Sequence, residues 1–204
     1  PGHPDLLPDI AILDPVLTLG VPNQITAFTG IDALTHAIEA YVSTKATILS
    51  DLYALQAIEM ITANIIKAYE EPTNLEARGQ MLLASYYAGI AFSNSSTNLA
   101  HAMGRALGTK FNLSHGQSVA LLHPFVVAWS YESCKERYDK IAKVIGLENG
   151  AEIIDVNGFV FAPAVCYEII FSDSLLPDNA GQVNAIVNIT NDNWFGNTPG
   201  TYQH

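Results

Sequence analysis

Four residues, Asp32, His36, His101 and His115, have the types and spacing to share one cation. Asp32 and His36 lie four residues apart in GIDALTHAIEAY. On an α-helix that spacing stacks both side chains on one face, about 6 Å apart at Cβ. His101 and His115 lie in NLAHAMGRALGTKFNLSHGQ, fourteen residues apart. On one unbroken helix they would stand about 21 Å apart, too far for any ion to bridge. Gly108, however, predicts the end of one helix, and Asn112 to Ser114 supply turn and N-cap chemistry for another opening at His115. A reversal there returns His115 to the neighbourhood of His101. One carboxylate and three imidazoles suit Fe2+, Zn2+ or a similar divalent first-row ion, and imidazole binds metal in its neutral form. A plainer reading stays open: an Asp32–His36 surface pair, with His101 and His115 as ordinary polar residues at helix ends.

The elements that must position these residues are mostly helical. Asp14-Pro15 and Val21-Pro22 mark an irregular start. Apolar periodicity then predicts helices from about Thr26 or Thr29 to Ser43, from an N-cap at Ser50 to Pro72, and over about Asn74 to Phe92. Shorter helices are expected at 98–107, 115–129 and 133–145. His123 precedes Pro124 and reads as a helix-end residue rather than a ligand; His3 and His204 lie at the chain ends. The fold class expected is mainly α, a helical bundle, followed by a short strand-rich α/β piece.

The 204 residues are 49% hydrophobic and 14% charged, enough to bury a core. Nine Lys+Arg against 20 Asp+Glu give a formal charge of -11, which argues against a nucleic-acid backbone or an anionic membrane surface as partner. Two cysteines, Cys134 and Cys166, are too few for a disulfide framework. The longest apolar run, Val119 to Trp129, is broken by His123-Pro124, and PGHPDLLPD has no secretory pattern, so the expectation is a cytoplasmic protein. There is no initiator Met, so the sequence reads as starting inside a longer protein. All nine basic residues fall between Lys45 and Lys143, and 151–204 carry six acidic residues and no Lys or Arg. The hydrophobic period changes at the same point, which divides the chain into 1–150 and 151–204.

Residues 5–147 resemble the helical domain of the iron-containing (group III) alcohol dehydrogenase family. The resemblance rests on DIAILDPVLTLGVP, TAFTGIDALTHAIEAYVS, ARGQMLLASYYAGIAFSNSSTNLAHAMGRALGTKFNLSHG and ALLHPFV. It implies that Asp32, His36, His101 and His115 are the protein ligands of a catalytic Fe2+ or Zn2+. It also implies a small alcohol or aldehyde substrate, NAD(P) as hydride partner, and a homo-oligomer as one possible state. The cation would act as a Lewis acid toward the substrate oxygen. Many members carry a further His four residues after the first of the paired histidines, where this sequence has Arg105; an exposed helix cation is the competing reading there. The family's nucleotide-binding half should precede residue 1, and no Gly pair here follows a strand and opens a helix as a phosphate loop must. On this reading the chain holds the metal but is not competent for turnover alone.

The tail reads differently. Phe159–Cys166 and Val183–Ile189 are predicted as buried strands, with Cys166 where a strand meets a loop, either a small buried hydrophobe or a nucleophile. CYEIIF, VNITNDNWFG and TPGTYQH resemble the carbon–nitrogen hydrolase (nitrilase) domain of apolipoprotein N-acyltransferase. That resemblance implies Cys166 as the acyl-accepting thiolate, Glu168 nearby, and Trp194 and Phe195 on the wall of the site. It also calls for an upstream Glu base and an upstream Lys, and 151–204 contain no Lys; a Cys without its base has no activated thiolate. Three readings are thus in play: the metal-binding portion of an alcohol dehydrogenase, an acyltransferase or amidase fragment, and an inactive fusion whose parts share no core.

Overall fold

The computed structural model describes residues 8–146 and, as backbone alone, strands at 154–156, 159–165 and 185–189. A 3-10 turn over Pro15–Thr18, capped by the Asp14 carboxylate accepting the Val16 N–H (2.9 Å), leads into six helices. These are α1 (Asn23–Tyr41), α2 (Ile48–Glu70), α3 (Leu75–Ser93), α4 (Leu99–Phe111), α5 (His115–Ser130) and α6 (Lys135–Val144). The strands are β1 (Ile154–Val156), antiparallel to β2 (Phe159–Val165), and β3 (Ala185–Ile189), parallel to β2. The backbone of both predicted strands is therefore present. Cys166, Glu168, Trp194 and Phe195 lie outside the described residues, as do the rest of CYEIIF, TPGTYQH and all of VNITNDNWFG beyond the β3 backbone at 187–189.

α1 is the spine of the bundle. Ala27, Ala37 and Ala40 on it are fully buried, as are Ala54, Ala57, Ile58 and Ile61 on α2 and Ala84 and Ala91 on α3. Alanine at the contacts lets the helix backbones approach closely, while the isoleucines fill the space between them; truncating one such Ile costs about 2–5 kcal/mol. The caps differ from expectation at α2. Thr47, not Ser50, is the N-cap: its hydroxyl accepts the Ser50 N–H (3.1 Å), and the Ser50 hydroxyl accepts the Thr47 N–H (2.8 Å), a reciprocal capping box. α3 starts as expected, with the Asn74 side chain accepting the Ala77 N–H (3.0 Å).

Two arginines tie the helices together. The buried Arg78 on α3 donates to the Pro72 carbonyl, to the Thr26 hydroxyl (3.3 Å) and to the Val21 carbonyl (3.4 Å). Arg137 on α6 donates to the Tyr41 carbonyl (2.7 Å), pairs with Asp51 (2.5 Å) and lies 3.9 Å over the Tyr41 ring. It thereby places a cation at the negative end of the α1 dipole. Among the described residues no helix is long and apolar enough to cross a membrane.

Candidate metal centre

The helix α1 carries Asp32, His36 and Glu39 at i, i+4 and i+7, one face over two turns. α4 and α5 bring the other two histidines by the expected reversal, though its details differ. Gly108 does not end α4, which continues to Phe111; the turn is made by Asn112 in the left-handed region (φ 54°). The Leu113 N–H reaches back to the Gly108 carbonyl (3.1 Å), and the Ser114 hydroxyl caps α5 by accepting the Gln117 N–H (3.4 Å). Close approach then fixes α5. A Cβ on Gly104 would lie 3.0 Å from Val119 Cγ2, so α4 and α5 pack nearly backbone to backbone. A Cβ on Gly116 would collide with the Phe28 carbonyl, so the first turn of α5 rests on α1 one turn before Asp32. That contact delivers His115.

Asp32, His101 and His115 come together, and His36 lies beside them. Asp32 Oδ1 lies 3.4 Å from His101 Nε2 and 3.3 Å from His115 Nε2, and its other oxygen lies 3.6 Å from His36 Nδ1. Ligand atoms of Asp32, His101 and His115 all fall within 4.8 Å of one another. His36 joins through the carboxylate and its neighbours, its ring 3.9 Å from that of His101 and 4.6 Å from that of Phe92 on α3, centroid to centroid. Asp32 Oδ1 and His101 Nε2 are both buried, and neither makes a hydrogen bond. Buried polar atoms are normally satisfied, so two facing each other mark a place shaped for something else. Ligands about 2.1 Å from a tetrahedral cation stand about 3.4 Å apart, the spacing seen here. The donor set, one carboxylate oxygen and imidazole nitrogens, fits a divalent first-row ion.

The electrostatics follow from burial and neighbours. Burial alone would raise Asp32, but His101, His36 and His115 outweigh it and hold the carboxyl below its ordinary value. Burial and the adjacent His101 push His36 down to about 4. His101, although burial opposes it, is held up to about 9 by Asp32 and Glu39. The cluster opens toward solvent at His115, whose side chain is 48% exposed against 8% for His101.

Two residues were read differently in the sequence. Glu39, passed over there, is buried and bonds His101 Nδ1 at 2.7 Å. The signal that could have found it is an acid seven residues after Asp32 in an otherwise apolar helix. His123 is not at a helix end: it is buried in mid-α5, Pro124 notwithstanding, and burial pushes it down to about 4. Arg105 is exposed on α4, four residues beyond His101.

The family model for the Fe-containing alcohol dehydrogenase family, C-terminal, matches residues 26–159. The chain is 46% identical over 144 residues to the probable alcohol dehydrogenase EutG of Salmonella typhimurium, across 71% of this chain and 36% of that protein. It is 42% identical over 153 residues to the NADPH-dependent butanol dehydrogenase of Clostridium saccharobutylicum, across 74% of this chain and 39% of the relative. The crystal structure of a 1,3-propanediol oxidoreductase superposes with a TM-score of 0.67 at 41% identity, covering 69% of this chain and 37% of the other. The chain thus spans 36% to 39% of the length of these curated relatives.

Proposed function

This chain belongs to the Fe-containing alcohol dehydrogenase family, and on that premise we propose that Asp32, His36, His101 and His115 hold the divalent cation, Fe2+ or Zn2+, of an NAD(P)-linked alcohol or aldehyde oxidoreductase. The observation that carries the reading is the facing pair of buried, unsatisfied ligand atoms, Asp32 Oδ1 and His101 Nε2, with His115 Nε2 beside them. When bound, the cation supplies Lewis acidity toward an alcohol or carbonyl oxygen. The chain's own residues set the conditions for that. Asp32 contributes a single negative charge, which leaves a divalent site net positive toward an oxygen ligand. The Phe92 ring backs His36, and the burial of His101 keeps water from that side, while the exposed edge of His115 leaves a path for a small substrate. Relatives named for butanol and for 1,3-propanediol support a small-alcohol substrate, and the name of the former supports a nicotinamide partner.

Elemental analysis of the purified chain tests this. The wild type should carry stoichiometric Fe or Zn after growth with either metal. His101→Ala and His115→Ala should lose it while keeping wild-type helix content by circular dichroism. Folded wild-type protein that takes up neither metal overturns the reading.

A further inference from the structure

Glu39 is 1% exposed, and a carboxylate so buried is costly unless its lone pairs meet donors. Here they do. Oε2 accepts the backbone N–H of Asn98 (2.7 Å) and bonds His101 Nδ1 (2.7 Å), and Oε1 accepts the backbone N–H of Ala100 (2.8 Å). The Glu39 carbonyl in turn accepts from the Asn98 side-chain amide (3.0 Å). Asn98, the N-cap of α4, makes no side-chain capping bond of its own. The carboxylate of α1 takes over that duty, satisfying N–H groups that a helix start leaves open and setting negative charge against the positive end of the α4 dipole. The same bonds govern His101. An ionised carboxylate only accepts, so Nδ1 must carry a proton; Nε2, which lies 3.4 Å from Asp32 Oδ1, is the nitrogen that gives up its proton when a cation binds.

We propose that Glu39 is the positioning residue of the centre: it keeps a proton on His101 Nδ1 and holds the ring against the first turn of α4, so that Nε2 is the nitrogen offered to the cation. This rests on the metal-centre reading above. The geometry makes even the isosteric amide a poor replacement. In Glu39→Gln an NH2 group must replace one oxygen. Placed at the Oε1 position it faces the Ala100 N–H, donor against donor. Placed at the Oε2 position it faces the Asn98 N–H and donates to His101 Nδ1, which drives the ring proton to Nε2 and blocks the coordinating atom.

The test uses the full chain with 15N-labelled histidine, two-bond 1H–15N spectra of the rings, and Zn2+ titrated against a chelating dye. In the wild type, His101 should show a protonated Nδ1, sheltered from exchange by Glu39 with or without Zn2+, and Zn2+ should shift Nε2. Glu39→Gln should lose the sheltered Nδ1 proton and bind Zn2+ about 10–100-fold more weakly. Asn98→Ala removes the side-chain bond to the Glu39 carbonyl but leaves the carboxylate in place; it should keep both the Nδ1 proton and the wild-type Zn2+ affinity, which separates ring placement from a general loosening of α4. Wild-type affinity in Glu39→Gln, or Zn2+ on Nδ1 of wild-type His101, overturns the proposal. Should Glu39→Gln fail to fold, the wild-type spectrum decides alone. A wild type that binds no Zn2+ yet shows the sheltered Nδ1 proton refutes the metal centre, not the Glu39 lock.

Discussion

Glu39 and Arg78 are the two most deeply buried charges among the described residues, 1% and 4% exposed, and the difference between them lies in their partners. Arg78 ends on two carbonyls and a hydroxyl, acceptors that pass nothing on. Its effect stops at joining α3 to the segment around Val21 and Thr26. Glu39 has an imidazole among its partners, and that imidazole has a second nitrogen facing Asp32 and His115. A buried charge bonded to backbone acceptors is a joint. A buried charge bonded to a two-ended ring controls what the far end can do. A cavity of about 230 Å3 adjoins the joint, with Arg78, Thr26 and Met81 in its lining, and none of the histidines lines it.

The comparison breaks most visibly at Arg78. Arg78→Met keeps much of the side-chain volume but leaves the Pro72 and Val21 carbonyls and the Thr26 hydroxyl without their donor. The expected loss is about 3 kcal/mol of stability, since each buried acceptor left bare costs about 1–3 kcal/mol and part of this segment can be rewetted. Zn2+ affinity should stay at the wild-type value, so the rise in melting temperature at saturating Zn2+ should match that of the wild type. A fall in Zn2+ affinity with Arg78→Met would mean that the joint and the centre are one network.

Gly116→Ala sharpens the other side. The added Cβ meets the Phe28 carbonyl, a backbone group that cannot rotate away. Overpacking of this kind costs about 1–3 kcal/mol. Because the displaced residue adjoins His115, Zn2+ affinity should fall as well, a coupling that Arg78→Met should not show. Thermal melts with and without Zn2+ measure both quantities. Unchanged affinity in a destabilised Gly116→Ala would mean that the α1–α5 contact does not place His115.

Much of the centre was legible because its signals are local. Asp32 and His36 announce a shared helix face by spacing alone, and Asn112 to Ser114 announce the reversal that returns His115. Glu39 was not legible, because the groups that make its burial tolerable, the N–H of Asn98, the N–H of Ala100 and the His101 ring, come from some sixty residues later in the chain. Gly108 and His123-Pro124 were misplaced for a related reason. A glycine or a proline inside a helix carries a local penalty of about 1 to 3 kcal/mol, which predicts a helix end. Here tertiary packing outweighs it. A Cβ at Gly108 would stand 2.9 Å from the Ser118 hydroxyl, so glycine is needed for α4 to meet α5. Pro124 is carried by the burial of Val119, Val126 and Val127 around it.

The smallest effect concerns a buried polar group that is neither joint nor lock. Tyr138 on α6 is 1% exposed, its hydroxyl 2.9 Å from that of Ser130, and burial pushes its phenol up to about 12 against the opposing bond from Ser130. Its folded value lies above its unfolded value of about 10. Between about pH 10 and 12 the unfolded chain therefore releases a proton that the folded chain retains, and the folded state loses stability as pH rises, by about 2–3 kcal/mol in all. Tyr138→Phe removes that liability along with the hydrogen bond. Ser130 keeps an acceptor in the Val126 carbonyl (2.7 Å), so the substitution should cost only about 0.5–1 kcal/mol near pH 8. Urea unfolding of the two proteins should then show the variant below the wild type near pH 8 and level with it or above it near pH 11; the other tyrosines titrate in both and cancel in the difference. Zn2+ affinity should be unchanged, because neither Tyr138 nor Ser130 is one of the four proposed ligands. Stability curves that run parallel through pH 12 would show that water reaches the Tyr138 hydroxyl, and would leave Glu39 and Arg78 as the polar groups whose burial sets the energetics of this bundle.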